Sequence, residues 1–443
     1  MQTFRRVVIA AAVSGGAAFL AACGSIPFAD NAPTLTQGPL QTSEITPEVQ
    51  LTLPPPIEIT PSVSAPITLR VWLPEPLAPV DNEDAAELLS EQISGFLAQN
   101  PDLQIDLRLK RPSDAGGILD TIRSASAVAP DALPDLTLMR RSDLAAAVEG
   151  GYLETLDTHL PAGFLDRLVP FAGRLGQVDE RMYGIAYALD VVHVIHMNDS
   201  RSPGEIAPQS FTFDAVLSSG LVFMFPVNRP AALNETLHTQ LIAAGASFDS
   251  DGGFTIDAAA LENIFAFYEQ AAANGQLPAA NLTASDPAEL LTQRVQNGSI
   301  RMVTARLYRA LAEADPDLAY APIPTLSGTP ATAADGWMWV LVTGDAQRQA
   351  AASRFLLWML DAERQRRYTD ATAYIPSLIE ALESWENQAY AGFIERLLAN
   401  AAAPLTGNAV GAGRAIQAIF IELLSEELDA RSAADAVIAA LDS

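Results

Sequence analysis

Asp190, His193 and His196 recur at every third position, a spacing that on a helix would gather three metal ligands on one face. Val191, Val192, Val194 and Ile195 instead make this segment a strand, where a period of two sends the histidines to opposite faces, so no metal site is assigned. "DSDGGFTID", which starts at Asp249, opens like a calcium loop. Phe254, however, stands where such a loop requires glycine and Ala260 where it requires glutamate. The stretch reads as a hairpin leading to a helix cap at Asp257. Gly-x-Ser-x-Gly, His-Glu-x-x-His and a phosphate-cradling glycine loop are missing from the sequence, and neither a catalytic residue nor a cofactor is assigned.

Binding chemistry is better represented. Aromatic faces stack on apolar C–H surfaces of small polar molecules, while charged side chains capture hydroxyl pairs or carboxylates. Trp72 lies near the carboxyl end of a first strand, opposite in parity to Ile67, Leu69 and Val71, and Glu75 follows it. Arg140 and Arg141 end a third strand in a protein dominated by acids, where guanidinium groups suit hydroxyl pairs or the carboxylate of an acidic sugar. The competing readings are packing of Trp72 under a helix and ordinary solvated loop positions for Glu75, Arg140 and Arg141.

One further residue carries chemistry. Cys23 is the only cysteine in 443 residues, so disulfides are impossible and the fold rests on its core. Arg5 and Arg6 precede an apolar run from Val7 to Leu20 that is too short for a bilayer crossing of roughly 20 residues, and it reads as a secretory signal. Leu20, Ala21, Ala22, Cys23 and Gly24 resemble the lipobox of bacterial lipoproteins, which implies residues 1–23 as signal peptide and Cys23 as a lipid anchor to the outer face of a membrane. Residues 24–66 hold nine prolines and no basic residue, the composition of a disordered tether with a reach of about 35–40 Å.

The formal net charge of −27 repels phosphate backbones and anionic headgroups, which excludes nucleic acid as a partner and leaves the membrane tie to the lipid. Lys110 is the sole lysine, read as compositional bias.

The elements that would position these residues follow from pattern. "ITLRVWL" alternates as a strand, a helix starting near Asp81 ends before Asn100-Pro101, and "IDLRL" alternates again. A helix over about 115–127 and the strand "PDLTLM" come next. "VVHVIHM", "GLVFMFP", "SIRMVTA", "AYAPIP" and "WMWVLVT" add strands, and helices dominate after Ala346. This is an α/β protein with parallel strands and helices on the sheet faces. Residues 67–443 exceed the roughly 250–300 at which a single core stops growing, so two lobes are expected.

Several separated segments, in order, resemble the extracellular solute-binding protein family 1, the maltose-binding-protein-like receptors of ABC importers. They are "ITLRVWL", "FLAQNPDLQIDL", "LPDLTLMRRSDLAAAVEGGYLETLD", "RMYGIAYALDVVHVIHMND", "VQNGSIRMV", "APIP", "ADGWMWVLV" and "YIPS". The resemblance implies a two-lobed periplasmic-binding-protein-like (type II) fold, each lobe a sheet flanked by helices, with a hinge and a central cleft. Lobe one would comprise 67–185 and 335–380, and lobe two 190–325 and 381–443.

On this placement Tyr187 and Asp190 sit at the first crossing, with a hinge contact as the competing role. Trp337 follows Gly336 at the return crossing and is expected to stack on ligand, with Trp339 behind it. Tyr308 and Tyr374 are weaker candidates that read equally as half-buried aromatics. Where the family carries proline before Tyr187 this chain has Ala186, and a further family aromatic falls at about Ala412-Gly413, so the maltose-type aromatic ladder is incomplete.

The function so implied is a monomeric, lipid-anchored receptor. It would capture a sugar, oligosaccharide or related polar solute by lobe closure and deliver it to the transmembrane subunits of an ABC permease. Two other readings stay open at this point, a glycan-active enzyme of the cell surface and a sensory or structural lipoprotein that retains the receptor fold.

Overall fold

The computed structural model describes residues 66–441 except 79, 81, 113–114, 198–208, 250, 292–294 and 296–297. Cys23, the apolar leader and all but the last residue of the expected tether lie outside the described residues. Among the described residues no helix is long and apolar enough to cross a membrane.

The strands in chain order begin with β1 (Ile67–Pro74), β2 (Leu103–Lys110), β3 (Leu136–Arg140), the short hairpin β4 (Gln177–Val178) and β5 (Arg181–Met182), and the long β6 (Gly184–Met197). β7 (Val222–Met224), a second hairpin of β8 (Ser247–Phe248) and β9 (Phe254–Thr255), β10 (Ser299–Thr304) and β11 (Leu318–Ala321) follow. β12 (Thr332–Leu341), β13 (Ile375–Pro376) and β14 (Ala401–Ala402) complete the set.

Among the described residues ten strands form one mixed sheet with the order β2-β1-β3-β12-β6-β10-β7, while β11 and β13 also pair with β6, and β14 with β12. β1 runs parallel to β2 and β3, β12 is antiparallel to both β3 and β6, and β10 is antiparallel to β6 and parallel to β7. Following these directions, the carboxyl ends of β1, β2, β3 and β10 all face the middle of β6 and β12. Open α/β sheets place ligand sites at such ends.

Two hydrophobic cores flank that middle. The first gathers Trp72, Tyr187, Trp337 and Trp339, and the second gathers Phe223, Phe225, Phe265, Phe267 and Phe420. β6 passes from the first core (Ile185–Leu189) into the second (Val192, Val194), and β12 returns from Ala333 in the second to Ala334 and Met338 in the first. The two halves therefore share continuous strands instead of owning separate sheets.

The later segments divide between the two cores as well. Ala381, Trp385, Tyr390 and Phe393 belong to the first core, so the chain stays with that half to Leu398, and the second core's last helices begin at Ala409. Tyr308, expected in lobe two, packs in the first core as well.

Local signals act as their chemistry dictates. Asn82 caps the helix Glu83–Gln99 by accepting from the Ala85 amide at 2.9 Å, and Asp257 caps Ala258–Ala273 by accepting from the Ala260 amide at 2.9 Å.

Candidate ligand-binding site

The register of the two long strands sets the site. Asp335 on β12 lies opposite Asp190 on β6, and Trp337 lies opposite Ala188 on one side and Arg140, the last residue of β3, on the other. Between them is Gly336, where a Cβ would stand 2.7 Å from Leu189 Cδ2 and 3.0 Å from the Ala188 carbonyl oxygen, so only glycine lets β12 press this closely onto β6. β13 pairs Ile375 with Leu189 and brings Tyr374 alongside, while Thr304 at the end of β10 pairs with Val192 and starts the helix that carries Arg306.

These side chains form a connected row. The Arg140 guanidinium lies 4.8 Å from the centre of the Trp337 ring, Trp337 Nε1 donates to the Tyr374 hydroxyl at 3.3 Å, and the Arg306 guanidinium lies 5.0 Å from the centre of the Tyr374 ring. Such cation–ring contacts orient a guanidinium while leaving its N–H donors unspent. One pair along, the Lys110 ammonium at the end of β2 stands 4.4 Å over the Trp72 ring.

The two aspartates are tied to backbone. Asp190 accepts from the amides of Val191 and Arg306, both at 3.1 Å, and Asp335 accepts from the Gly336 amide at 2.8 Å. Burial pushes the Asp190 carboxyl up to about 6, opposed by the Arg306 amide, the Thr304 hydroxyl and the Arg306 charge. Burial also raises Asp335 above the usual carboxylate range, against the pull of the Arg140 charge. The crossing thus sets two opposed carboxylates beside the cationic side chains of Arg140 and Arg306, groups whose chemistry is hydrogen-bonding and ionic.

Each residue singled out in the sequence has a definite place. Arg140, Asp190, Trp337 and Tyr374 come together as described. Trp337 and Tyr374 are each 2% exposed, so the ring faces expected to meet a ligand are covered by cations in this conformation. Trp72 is buried at 2% and Tyr187 at 1%, the latter among Trp339 and Tyr368, because both faces of the sheet are covered there. In this conformation both pack among core residues. Tyr308 likewise is buried against His193, Tyr320 and Tyr390, and burial pushes its hydroxyl up to about 12.

Arg141 donates to the carbonyls of Leu175 at 3.0 Å and Gln177 at 2.5 Å, a structural tie, with burial lowering its pKa. Glu75 is exposed in the single turn Glu75–Leu77 after β1.

Sequence reasoning missed Lys110, Arg306 and Asp335. The lone lysine at the end of a strand was a signal for the first. For Arg306 and Asp335 only strand register reveals their neighbours.

Residues 93–394 match the family described as bacterial extracellular solute-binding protein. Among curated proteins none matches in sequence. Among solved structures, the chain is similar to the cyclic alpha-maltosyl-1,6-maltose binding protein from Arthrobacter globiformis, at 16% identity, TM-score 0.68, and coverage of 85% of this chain and 98% of that one. It is also similar to the sugar-binding protein MalE from Xanthomonas citri, at 15% identity, TM-score 0.66, and coverage of 85% and 96%. The GacH receptor of Streptomyces glaucescens shows 14% identity, TM-score 0.63, and coverage of 85% and 97%. At these identities the structures establish the shared two-lobed α/β fold, and the sequence match establishes the lineage: this chain belongs to the bacterial extracellular solute-binding protein family.

Proposed function

We propose that the protein is the capture subunit of an ABC import system. It binds a sugar, an oligosaccharide or a related polar solute between its two halves and hands it to membrane permease subunits. The observation that carries this reading is the convergence of the carboxyl ends of β1, β2, β3 and β10 on the crossing strands, with Lys110, Arg140, Trp337, Tyr374 and Arg306 set there. Structural neighbours whose names record maltose-type, acarbose and mannotriose ligands support a carbohydrate. Closure follows from linkage: a ligand shifts the open form toward the closed one only by contacting the two differently, and residues from both halves at the crossing provide that difference.

The family is extracellular, and the reading extends to a lipid anchor at Cys23 that holds the receptor at the membrane surface as a monomer, acting by binding and release without turnover. A thermal-shift screen against neutral sugars, sugar acids and polyols tests the ligand class, because a compound that binds only the folded chain raises its Tm. Saturable stabilisation by a saccharide with no product formed is the expected outcome; release of cleaved sugar would contradict it. Replacing Cys23 by Ser is expected to move the protein from the membrane fraction to the medium, and a variant still held in membranes would rule out the anchor.

A further inference from the structure

In a chain of 53 acidic and 26 basic residues, a cation usually finds a carboxylate. Arg354 with Asp102 at 2.8 Å, Arg367 with Glu91 at 2.9 Å and Arg431 with Glu262 at 3.0 Å are instances. Lys110, Arg140 and Arg306 behave differently. Among the described residues none of their charged heads lies within ion-pair distance of a carboxylate or spends an N–H on a side-chain hydrogen bond; each lies over an aromatic ring. Asp335 and Asp190 act on Arg140 and Arg306 only at longer range and give their oxygens to backbone amides.

All three cations stand at the carboxyl ends of strands or one turn beyond, and both arginines are exposed. The rings beneath them, Trp72, Trp337 and Tyr374, are 2% exposed and act as platforms for charge more than as surfaces for a sugar ring. A guanidinium on a fixed platform presents a planar fork of donors that matches a carboxylate in a way a neutral hydroxyl pair does not.

We propose that this site selects a carboxylate-bearing saccharide, a uronic-acid oligosaccharide, with the carboxylate held by Arg140 and Arg306 and its field reinforced by Lys110. This rests on the reading of the crossing as the ligand site and adds the charge of the ligand to it.

The experiment is titration calorimetry of the purified protein against matched pairs: oligogalacturonates and their methyl esters, and glucuronate-containing and neutral glucose oligosaccharides of equal length. The expected result is at least tenfold tighter binding of a free acid than of its ester, weakening as salt rises from 50 to 500 mM. Arg140→Gln and Arg306→Gln are each expected to weaken the acid at least tenfold, with Lys110→Gln as a smaller third step. Melting temperature and scattering profile certify that each variant is folded.

Equal affinity for acid and ester, preference for neutral sugars, or an unchanged affinity in folded Arg140→Gln overturns the inference while leaving sugar capture standing. Failure of every saccharide, neutral or acidic, to bind overturns both.

Discussion

The two cores of this protein both pack ring on ring, and they differ in a second use of aromatic side chains. In the second core phenylalanines pack on one another: Phe213 stacks on Phe267 at 4.2 Å and 7°, and Tyr268 meets Phe420 edge-on at 4.7 Å. Around the first core, among the described residues, every ring that carries a cation is found: Trp72, Phe164, Tyr183, Trp337, Trp358, Tyr374 and Trp385. Rings of the first kind hold the fold by excluding water. Rings at the edge of the first core also fix the positions of charges, and the charges without a protein counter-ion are those to which the proposed recognition is assigned. The difference teaches that both cores bury ring against ring, while among the described residues only rings around the first also hold cations in place.

The largest expected effect falls on the second core. Phe420 is 0% exposed among Phe225, Phe265 and Tyr268, and Phe420→Ala is expected to cost about 3–5 kcal/mol in urea denaturation. A loss under 1 kcal/mol would show that this core is not the stabilising one.

Buried histidines stand against both cores. Burial lowers His193 in the first core and His238 beside the second, both to about 4 from 6.5. A base whose folded pKa is depressed contributes stability above its unfolded value and loses it as pH falls. Each should therefore cost about 3 kcal/mol between pH 6.5 and 4. His238→Asn is expected to remove one share of that acid sensitivity, and an unchanged pH profile in the variant would refute the assignment.

Asp190 works in the other direction. Its folded pKa of about 6 exceeds the usual 3.8, so its contribution is complete below 3.8 and is lost as pH rises through 6. Asp190→Asn is expected to be more stable than the parent by about 1–2 kcal/mol at pH 7.5 and indistinguishable from it near pH 3.5. A gap that does not change with pH would separate the effect from ionisation. Smallest is Arg140→Gln, which removes one exposed cation–ring contact worth about 0.5–1 kcal/mol while its ligand effect is large. Such a split between stability and binding is what divides the two roles of the rings.

Much of the fold was legible in the sequence because strand alternation and capping are local. "ITLRVWL" became β1, "DSDGGFTID" fell in the β8–β9 hairpin region, and Asp257 caps its helix through a 2.9 Å bond. The candidate site was legible only in part. Parity correctly set Trp72 opposite Leu69 and Val71, yet at the carboxyl end of β1 both faces are covered, and Val71, Trp72 and Leu73 are all buried. Alternation cannot tell a strand with one wet face from a strand with none. Tyr187 lies in a stretch of β6 buried from Gly184 to Leu189, a burial that alternation could not signal for the same reason. That Trp385 and Tyr390 pack with the first core depends on the path of a crossover, which leaves no periodic mark.

The central claim is that residues of the two halves close on a solute at the β6–β12 crossing. The direct measurement is small-angle scattering of the purified protein with and without a saturating saccharide that raises its Tm. The expected result is a smaller radius of gyration and a shorter maximum dimension with ligand, both abolished when Arg140 and Arg306 are replaced together by glutamine. Superimposable curves at proven saturation would contradict closure at this crossing.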